Sequence, residues 1–204
     1  MPNLSPLLLE TIKIEEGRVC NLPYHQKRCN QSRKKLYGRD DTLALQEVIS
    51  PPPKGLYRCR IVYAETIVSV EYIPYKPKPI GHIQIAPSSL EYGFKYAKRE
   101  GFETLLAVYP HADEILIEKN GLLTDTTIAN IAFFDGIQWV TPKKPLLQGT
   151  MRQKLIDCGF LSVKDITKDD LKNYQQVALM NAMLGFSIQN ELTIQDLQGN
   201  TYDY

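Results

Sequence analysis

Lys95 is the residue whose neighbours most directly suggest chemistry. It stands between Phe94 and Tyr96, and an amine among apolar groups loses hydration, which favours its neutral, nucleophilic form. The alternative is a lysine whose stem lies on an amphipathic helix while its ammonium group stays in water. On these neighbours alone, the second interpretation is the more common one.

His25 and Arg28 form a second candidate site, three residues apart on a predicted helix and therefore on one face. The planar guanidinium of Arg28 can bind a phosphate, although it can equally be one more charge on a basic helix. Residues 1–60 carry 11 Lys and Arg against 6 Asp and Glu, whereas residues 61–204 carry 13 against 17. A basic helix over residues 27–35 could also contact a nucleic acid, but the net charge of +1 argues against that partner.

Two further candidates lie in the second half of the chain. Asp125 comes just before the apolar run Ile128–Phe134, where its carboxylate could pair with a cation on a ligand or bond to backbone amides in a turn. The glycine loop within Leu147–Arg152 leads into a predicted helix, whose first amides, those of Thr150 and Met151, could bind an anion. Taken separately, each feature is more simply a structural turn.

The elements that position the first two candidates follow from patterning. A strand over Leu7–Ile14 is followed by a helix with Asn21 as its N-cap and Gly38 at its end. Apolar and polar residues then alternate over residues 56–63 and 66–73, which predicts two antiparallel strands.

The proline-rich stretch Pro74–Pro79 cannot lie inside a sheet and is predicted to be a linker. We expect a small N-terminal α/β domain over residues 1–75 and a larger C-terminal domain over residues 80–204. The second domain mixes strands, hairpins and short helices without regular alternation, which predicts an α+β fold. Its predicted elements are strands at 82–86, 114–118, 128–134, 138–141 and 177–180 and helices at 92–106, 150–158 and 168–173. Asn120-Gly121 and Asp135-Gly136 predict two hairpin turns.

The composition is that of an ordinary soluble globular protein, with 43% hydrophobic and 23% charged residues. No apolar run approaches the ~18–20 residues of a membrane span, and the N-terminus lacks the pattern of a secretory signal. The four cysteines are scattered without zinc-binding spacing, so we expect isolated thiols and no metal site. These observations predict a cytoplasmic protein.

The order and spacing of the candidate residues resemble the class IV aminotransferases, which hold pyridoxal 5′-phosphate (PLP) in fold type IV. The likeness covers about residues 7–185. Asp125 stands five positions before Asn130, which opens an apolar strand, as the acidic residue of the family does. The motif continues in the family's order with an Asp-Gly hairpin, Thr141-Pro142 and the loop Gly149–Arg152. The N-terminal His-x-x-Arg likewise resembles the family's phosphate-binding helix.

The resemblance implies a two-domain fold whose small N-terminal α/β domain precedes a mixed sheet or pseudo-barrel. It implies PLP as the cofactor, a Schiff base on Lys95, and a homodimer, because family members usually complete their active sites across a dimer. The other implied roles are Arg28 on the PLP phosphate, Asp125 on the ring nitrogen, the amides of Thr150 and Met151 on the phosphate, and a loop of Asn181, Ala182 and Met183 facing the phosphate and the substrate carboxylate.

Two reactions are open to such a protein. We favour amino-group transfer from an amino acid to a 2-oxo acid, with lysis of 4-amino-4-deoxychorismate to 4-aminobenzoate and pyruvate as the alternative. Lys95 is followed by Tyr-Ala-Lys-Arg, whereas the lyases have Thr-Leu-Asn-Arg and the branched-chain enzymes Gly-Asn-Tyr. Asp125 replaces the more usual Glu, and Ala129 stands where many members have Ser. A degenerate family member that binds a ligand without turnover would have lost the role of this lysine, and Lys95 is present here.

Overall fold

The computed structural model describes residues 6–204. The chain divides into two compact units. The first comprises the described residues up to Pro77 together with the short segment Phe94–Lys98, and the second comprises Lys78–Gly93 and Arg99–Tyr204. The chain thus crosses between the units three times, and each unit has its own sheet and its own core.

An antiparallel sheet with the order β2-β1-β3-β4 forms the first unit. The turn between its first two strands places Glu16 and Gly17 at φ 47° and 76°, the left-handed conformations of a tight hairpin. The strands predicted from alternation are confirmed within one residue at each end. The four strands are β1 (Leu8–Glu15), β2 (Arg18–Val19), β3 (Leu56–Tyr63) and β4 (Ile67–Pro74).

One long helix, α1 (Leu22–Tyr37), packs against this sheet and is followed by a short one, α2 (Leu45–Val48). Gly38 ends α1 as predicted, with φ 66° and its N–H directed to carbonyl groups of the last turn. Asn21 precedes α1, but it is left-handed (φ 56°) and its side chain makes no capping bond. A capping side chain needs an extended backbone at that position, so the expected Asn21 side-chain cap is wrong.

Alternate residues of β1 point into the core of the first unit. Leu8, Ile12 and Ile14 are fully buried there, in the apolar cluster that also contains residues of α1 and β3. Glu10 occupies the same face and is also fully buried, although a carboxylate inside a core costs free energy unless it is paired. Packing therefore does not explain this residue.

The segment Phe94–Lys98 is irregular, with bends at Phe94 and Ala97, and the helix predicted over residues 92–106 is wrong in its first half. Tyr96 forms an isolated antiparallel bridge with Leu8, so the segment lies along the edge of β1. Lys95 O and the Ala97 N–H bond to the backbone at that edge and are not available to a helix. The helix, α3 (Glu100–Val108), begins only afterwards, with two acidic residues in its first turn that favour a helix start there.

A ten-stranded mixed sheet organises the described part of the second unit, where the order β10-β9-β8-β7-β6-β5-β13-β14 is joined by β11, which pairs with β8 and β12. Three of its neighbour pairs are parallel: β5 with β6, β5 with β13, and β9 with β10. Patterning did not predict β10 or the strands after β11. The strands are β5 (His82–Pro87), β6 (Glu114–Lys119), β7 (Leu122–Thr126), β8 (Asn130–Phe134), β9 (Trp139–Pro142), β10 (Leu161–Lys164), β11 (Gln176–Asn181), β12 (Gly185–Gln189), β13 (Thr193–Gln195) and β14 (Thr201–Asp203).

Two predicted hairpins order the middle of this sheet. Asn120 and Gly121 take φ 53° and 76° between β6 and β7, and Gly136 takes φ 95° between β8 and β9. The helix α4 (Thr150–Asp157) and a 3-10 helix (Lys168–Asn173) also lie close to their predicted positions. The α+β class is confirmed, and no helix in residues 6–204 combines the length and the apolar character of a membrane span.

We predict that the bridge to β1 fixes the backbone of the Lys95 segment. Ala97 donates its N–H to Leu7 O at 2.9 Å, and Leu9 donates to Lys95 O at 2.8 Å. Ala97→Pro removes one donor, at a cost of about 1 kcal/mol, so the Leu9 amide should exchange its hydrogen about fivefold faster. Ala97→Ser keeps the N–H and is the control. Unchanged Leu9 protection in Ala97→Pro would mean that the bridge does not hold the segment.

Candidate active site

Arg28 lies on α1, where its guanidinium meets the buried carboxylate of Glu10 on β1. Arg28 Nε donates to Glu10 Oε1 at 2.9 Å, and Arg28 Nη2 donates to Oε2 at 2.6 Å. His25, one helical turn earlier, is fully buried and has its Nδ1 2.5 Å from the same Oε2. The His-x-x-Arg spacing therefore places both side chains of α1 on one carboxylate.

Opposing effects set the charges of this cluster. Burial by itself would raise the pKa of Glu10, but the charge of Arg28 and the hydrogen bonds from His25 and Arg28 bring it down to about 2. Burial lowers the pKa of His25, its bond to Glu10 raises it, and the positive charges nearby lower it again. At neutral pH the cluster is thus a carboxylate, a neutral imidazole and a guanidinium. Because a carboxylate only accepts, the shared proton is on His25 Nδ1.

Lys95 belongs to the same unit and is half-buried on the Phe94–Lys98 segment beside β1. Its aromatic neighbours Phe94 and Tyr96 meet edge to face, with ring centroids 6.1 Å apart, and both pack against the core of the first unit. Burial is the largest cause that lowers the pKa of His25, and the charges of Arg28 and Lys95 lower it further. The Lys95 amine therefore lies within electrostatic range of the cluster that holds Arg28.

Asp125 lies in the second unit at the end of β7, where it is only 4% exposed. Its Oδ1 accepts from Asn130 Nδ2 at 2.8 Å, and its Oδ2 accepts from the Leu147 N–H at 2.9 Å. Asn130 Nδ2 also donates to Leu147 O at 3.0 Å, which closes a ring of three residues. The ring connects β7, β8 and the loop before α4.

The five-residue spacing from Asp125 to Asn130 has a direct structural cause. A tight connection from Thr126 to Ala129 links β7 to β8, with the Thr126 N–H bonded to Ala129 O at 2.9 Å and the Thr126 hydroxyl accepting the Ala129 N–H at 3.0 Å. This connection makes Asp125 and Asn130 antiparallel partners, so their side chains meet. A spacing of five is thus the one at which this turn pairs the two residues.

Because Gly149 has no side chain, Asn130 can occupy the space beside it. A Cβ on Gly149 would lie 1.9 Å from Asn130 Oδ1, so the loop before α4 passes too close to the ring for any side chain. The first helical bond of α4 runs from Gln153 N–H to Gly149 O. The amides of Thr150 and Met151 therefore precede the helical ladder, as the amides of an anion-binding helix start do.

Burial raises the pKa of Asp125 to about 7, although the bonds from Leu147 and Asn130 and the charge of Arg152 oppose that rise. Arg152 is itself buried, with Nη1 bonded to Gln148 Oε1 at 2.9 Å and Nη2 to Pro142 O at 2.8 Å. The hydrogen bonds that Asp125 accepts come from neutral donors. A cation brought next to Asp125 would therefore restore its ionised form.

Asn181 ends β11 and uses its side chain within the second unit. Its Oδ1 accepts the N–H groups of Met183 and Leu184 at 2.9 and 2.8 Å, and its Nδ2 donates to Ile128 O at 3.2 Å. Met183 is buried, and Ala182 is half-buried between the two. The loop of Asn181, Ala182 and Met183 is thus hydrogen-bonded, through Asn181, to the connection between β7 and β8.

Sequence reasoning missed three polar residues that contribute to these clusters, of which Glu10 and Glu114 are buried and Arg99 is half-buried. Glu10 was not singled out, and neither was Glu114, whose carboxylate accepts from the Thr127 hydroxyl at 2.5 Å while burial raises its pKa. Arg99 donates to Thr127 O at 2.6 Å. For Glu10 a signal exists, namely a carboxylate at an inward-pointing position of an otherwise apolar strand face.

We predict that Gly149→Ala lowers the free energy of unfolding by about 1–3 kcal/mol, because Asn130 must move and break its bonds to Asp125 and Leu147. Denaturant unfolding measures the loss. Gly93→Ala is the control, since a Cβ there meets nothing within 4 Å. Equal stability of the two variants would contradict the close approach of the loop to Asn130.

Known proteins resemble this chain in sequence. The family model "Amino-transferase class IV" matches residues 7–189. A Haemophilus influenzae protein described as "Uncharacterized protein" is 35% identical over 184 residues, which are 87% of this chain and 98% of that protein. A Schizosaccharomyces pombe protein described as "Putative aminodeoxychorismate lyase" is 42% identical over 82 residues, which are 37% of this chain and 36% of that protein.

Among solved structures, one from Haemophilus somnus 129pt is described as "a putative 4-amino-4-deoxychorismate lyase". It is 34% identical in sequence, with a TM-score of 0.80, over 88% of this chain and 97% of that chain. The family match takes in both the His25-x-x-Arg28 helix and the Asp125–Asn130 turn. The chain therefore belongs to the class IV aminotransferase family, as the order of its motifs predicts.

Proposed function

We propose that this protein is a PLP-dependent lyase that converts 4-amino-4-deoxychorismate to 4-aminobenzoate and pyruvate. The observation that carries the proposal is its 34% identity, over 88% of its length, to the Haemophilus somnus protein described as a putative lyase for that substrate. The partial similarity to the Schizosaccharomyces pombe protein supports the same substrate. The sequence patterns favoured amino-group transfer over lysis, and the proposal reverses that preference.

Amino-group transfer is the second candidate, and one observation favours it. The three residues after Lys95 are Tyr-Ala-Lys, which differ from the Thr-Leu-Asn of the lyases. The fourth, Arg99, agrees with the lyase pattern. Arg99 also bonds to Thr127 in the connection between β7 and β8, next to Asp125, so the position that agrees is one with a defined contact.

The described residues fit PLP in both units. In the first, Arg28 presents a guanidinium whose plane is fixed by Glu10, and a planar guanidinium suits a phosphate. In the second, Asp125 is a buried carboxyl whose bonded donors are neutral, which suits a protonated ring nitrogen. In the proposal, Arg28 and the amides of Thr150 and Met151 bind the phosphate, Asp125 binds the ring nitrogen, and Lys95 carries the cofactor.

Bound PLP supplies an electron sink for the bonds at the substrate carbon that bears the amine. Ionised Asp125 keeps the proton on the ring nitrogen, and the bonds from Asn130 and Leu147 hold its carboxylate in place. The amine of Lys95 takes a proton from the substrate carbon and returns one as general base and acid. Lysis ends when the leaving group departs, whereas amino-group transfer also needs a 2-oxo acid.

We predict that Lys95 alone carries the cofactor. Borohydride reduction of the PLP-loaded protein followed by peptide mapping should place the pyridoxyl label on Lys95, and Lys95→Ala should take up none while remaining folded. The fold should survive because the segment is held by backbone bonds, which the substitution leaves in place. Lys98→Ala, three residues further on, should label as the wild type does. A label on Lys98 or Lys119 would show that the assigned lysine is wrong.

The reaction itself can be decided in a single turnover. We expect 4-aminobenzoate and pyruvate to appear in equal amounts from 4-amino-4-deoxychorismate with no 2-oxo acid added, and Lys95→Ala to form neither. A panel of L- and D-amino acids should leave the spectrum of the bound PLP in its original form. Conversion to pyridoxamine 5′-phosphate by an amino acid, reversed by a 2-oxo acid and without release of 4-aminobenzoate, would replace the lyase with a transaminase.

A further inference from the structure

We propose that Glu10 is a positioning residue, whose carboxylate holds the Arg28 guanidinium in the orientation that binds the phosphate of the cofactor. The inference rests on the proposed function, in which Arg28 is a phosphate ligand. It adds a residue outside the His-x-x-Arg motif, on a different element, and gives that residue a separate role. Glu10 does not itself contact the cofactor in this proposal, since it acts through Arg28.

Glu10 and Arg28 form a bidentate salt bridge. Two nitrogens of the guanidinium, Nε and Nη2, bond to the two different oxygens of the carboxylate, at 2.9 and 2.6 Å. Two parallel bonds fix the plane of a guanidinium as well as its position, which a single bond does not do. The direction in which Nη1 points is thus set by Glu10.

His25 holds the carboxylate from its other side. Its Nδ1 is 2.5 Å from Glu10 Oε2, so this oxygen accepts from both residues of the motif. The Glu10 side chain is completely buried, while that of Arg28 keeps 13% of its surface exposed. The carboxylate is thus the fully buried partner of the pair, and the Arg28 side chain is the partner that reaches the surface.

Stability alone does not explain the ion pair between Glu10 and Arg28. Leu8 and Ile12 flank Glu10 on the same buried face of β1, and an apolar residue between them would continue the core. Replacing a buried ion pair by apolar residues of similar volume is often neutral or stabilising. An ion pair retained here is better explained by what it does to the Arg28 head group.

The test compares two ligands that differ only in the phosphate. Glu10→Gln keeps the size of the side chain, but the Gln amide offers one acceptor oxygen. At most one of the two hydrogen bonds from Arg28 can therefore remain. We expect the affinity for PLP, from titration of the apo-protein, to fall about tenfold or more, and the affinity for pyridoxal, which lacks the phosphate, to stay within about twofold. Glu15→Gln, on the same strand but in a surface pair with Lys13, should change neither.

Two further variants keep the proposal falsifiable if Glu10→Gln folds poorly. Glu10→Asp retains the charge and withdraws the carboxylate by one methylene, so a role that depends on position predicts the same selective loss of PLP affinity. In an Arg28→Ala background, Glu10→Asp should cause no additional loss, because its effect passes through Arg28. Thermal unfolding of each variant identifies those that are folded.

Equal losses for PLP and pyridoxal would overturn the proposal, because they indicate a general structural role. Unchanged or tighter PLP binding by Glu10→Asp would overturn it as well, since a carboxylate that only offsets the charge of Arg28 predicts that result. Two other results would count against the proposed function instead. One is an unchanged PLP affinity in Arg28→Ala, and the other is a wild-type protein that does not take up PLP.

Discussion

The side-chain amide of Asn130 is the contact on which the candidate site residues of the second unit depend. It donates to the Asp125 carboxylate and to Leu147 O, and its oxygen lies where a Cβ on Gly149 would be. Two strands and the loop that starts α4 are therefore fixed by one planar group. The spacing of the sequence motif follows from this contact, because a turn of four residues makes Asp125 and Asn130 partners.

In the first unit a buried carboxylate has the corresponding role. Glu10 gathers His25 and Arg28 from α1 onto β1, and the edge of the same strand holds the Lys95 segment through two backbone bonds. β1 thus bonds to Arg28 through its side chains and to Lys95 through its backbone. A strand that served only to fill the core would need neither interaction.

Much of this could be predicted from the sequence, and the exceptions have physical reasons. Strands with clear alternation, α1 with its terminal Gly38, and the Asn120-Gly121 hairpin carry local signals, and the structure contains them. The segment around Lys95 does not, because its backbone bonds to the edge of β1, more than 80 residues earlier in the chain, and local propensity favours a helix. The strands β10, β13 and β14 have four residues or fewer, too few to produce a period. Glu10 has a pattern signal, but its meaning depends on the partners that α1 brings.

Two of the buried carboxylates, those of Glu10 and Asp125, differ in a way that matches their proposed tasks. Glu10 is paired with a guanidinium and its pKa is lowered to about 2, so it remains an anion at any physiological pH and acts as a fixed support. Asp125 accepts only from neutral donors and burial raises its pKa to about 7, so its charge responds to whatever lies beside it. A group that orients another side chain should not titrate, whereas a group that recognises a cationic ring gains most when that cation is its only strong partner. Environment alone thus separates two chemically similar residues into a structural anion and a ligand-responsive one.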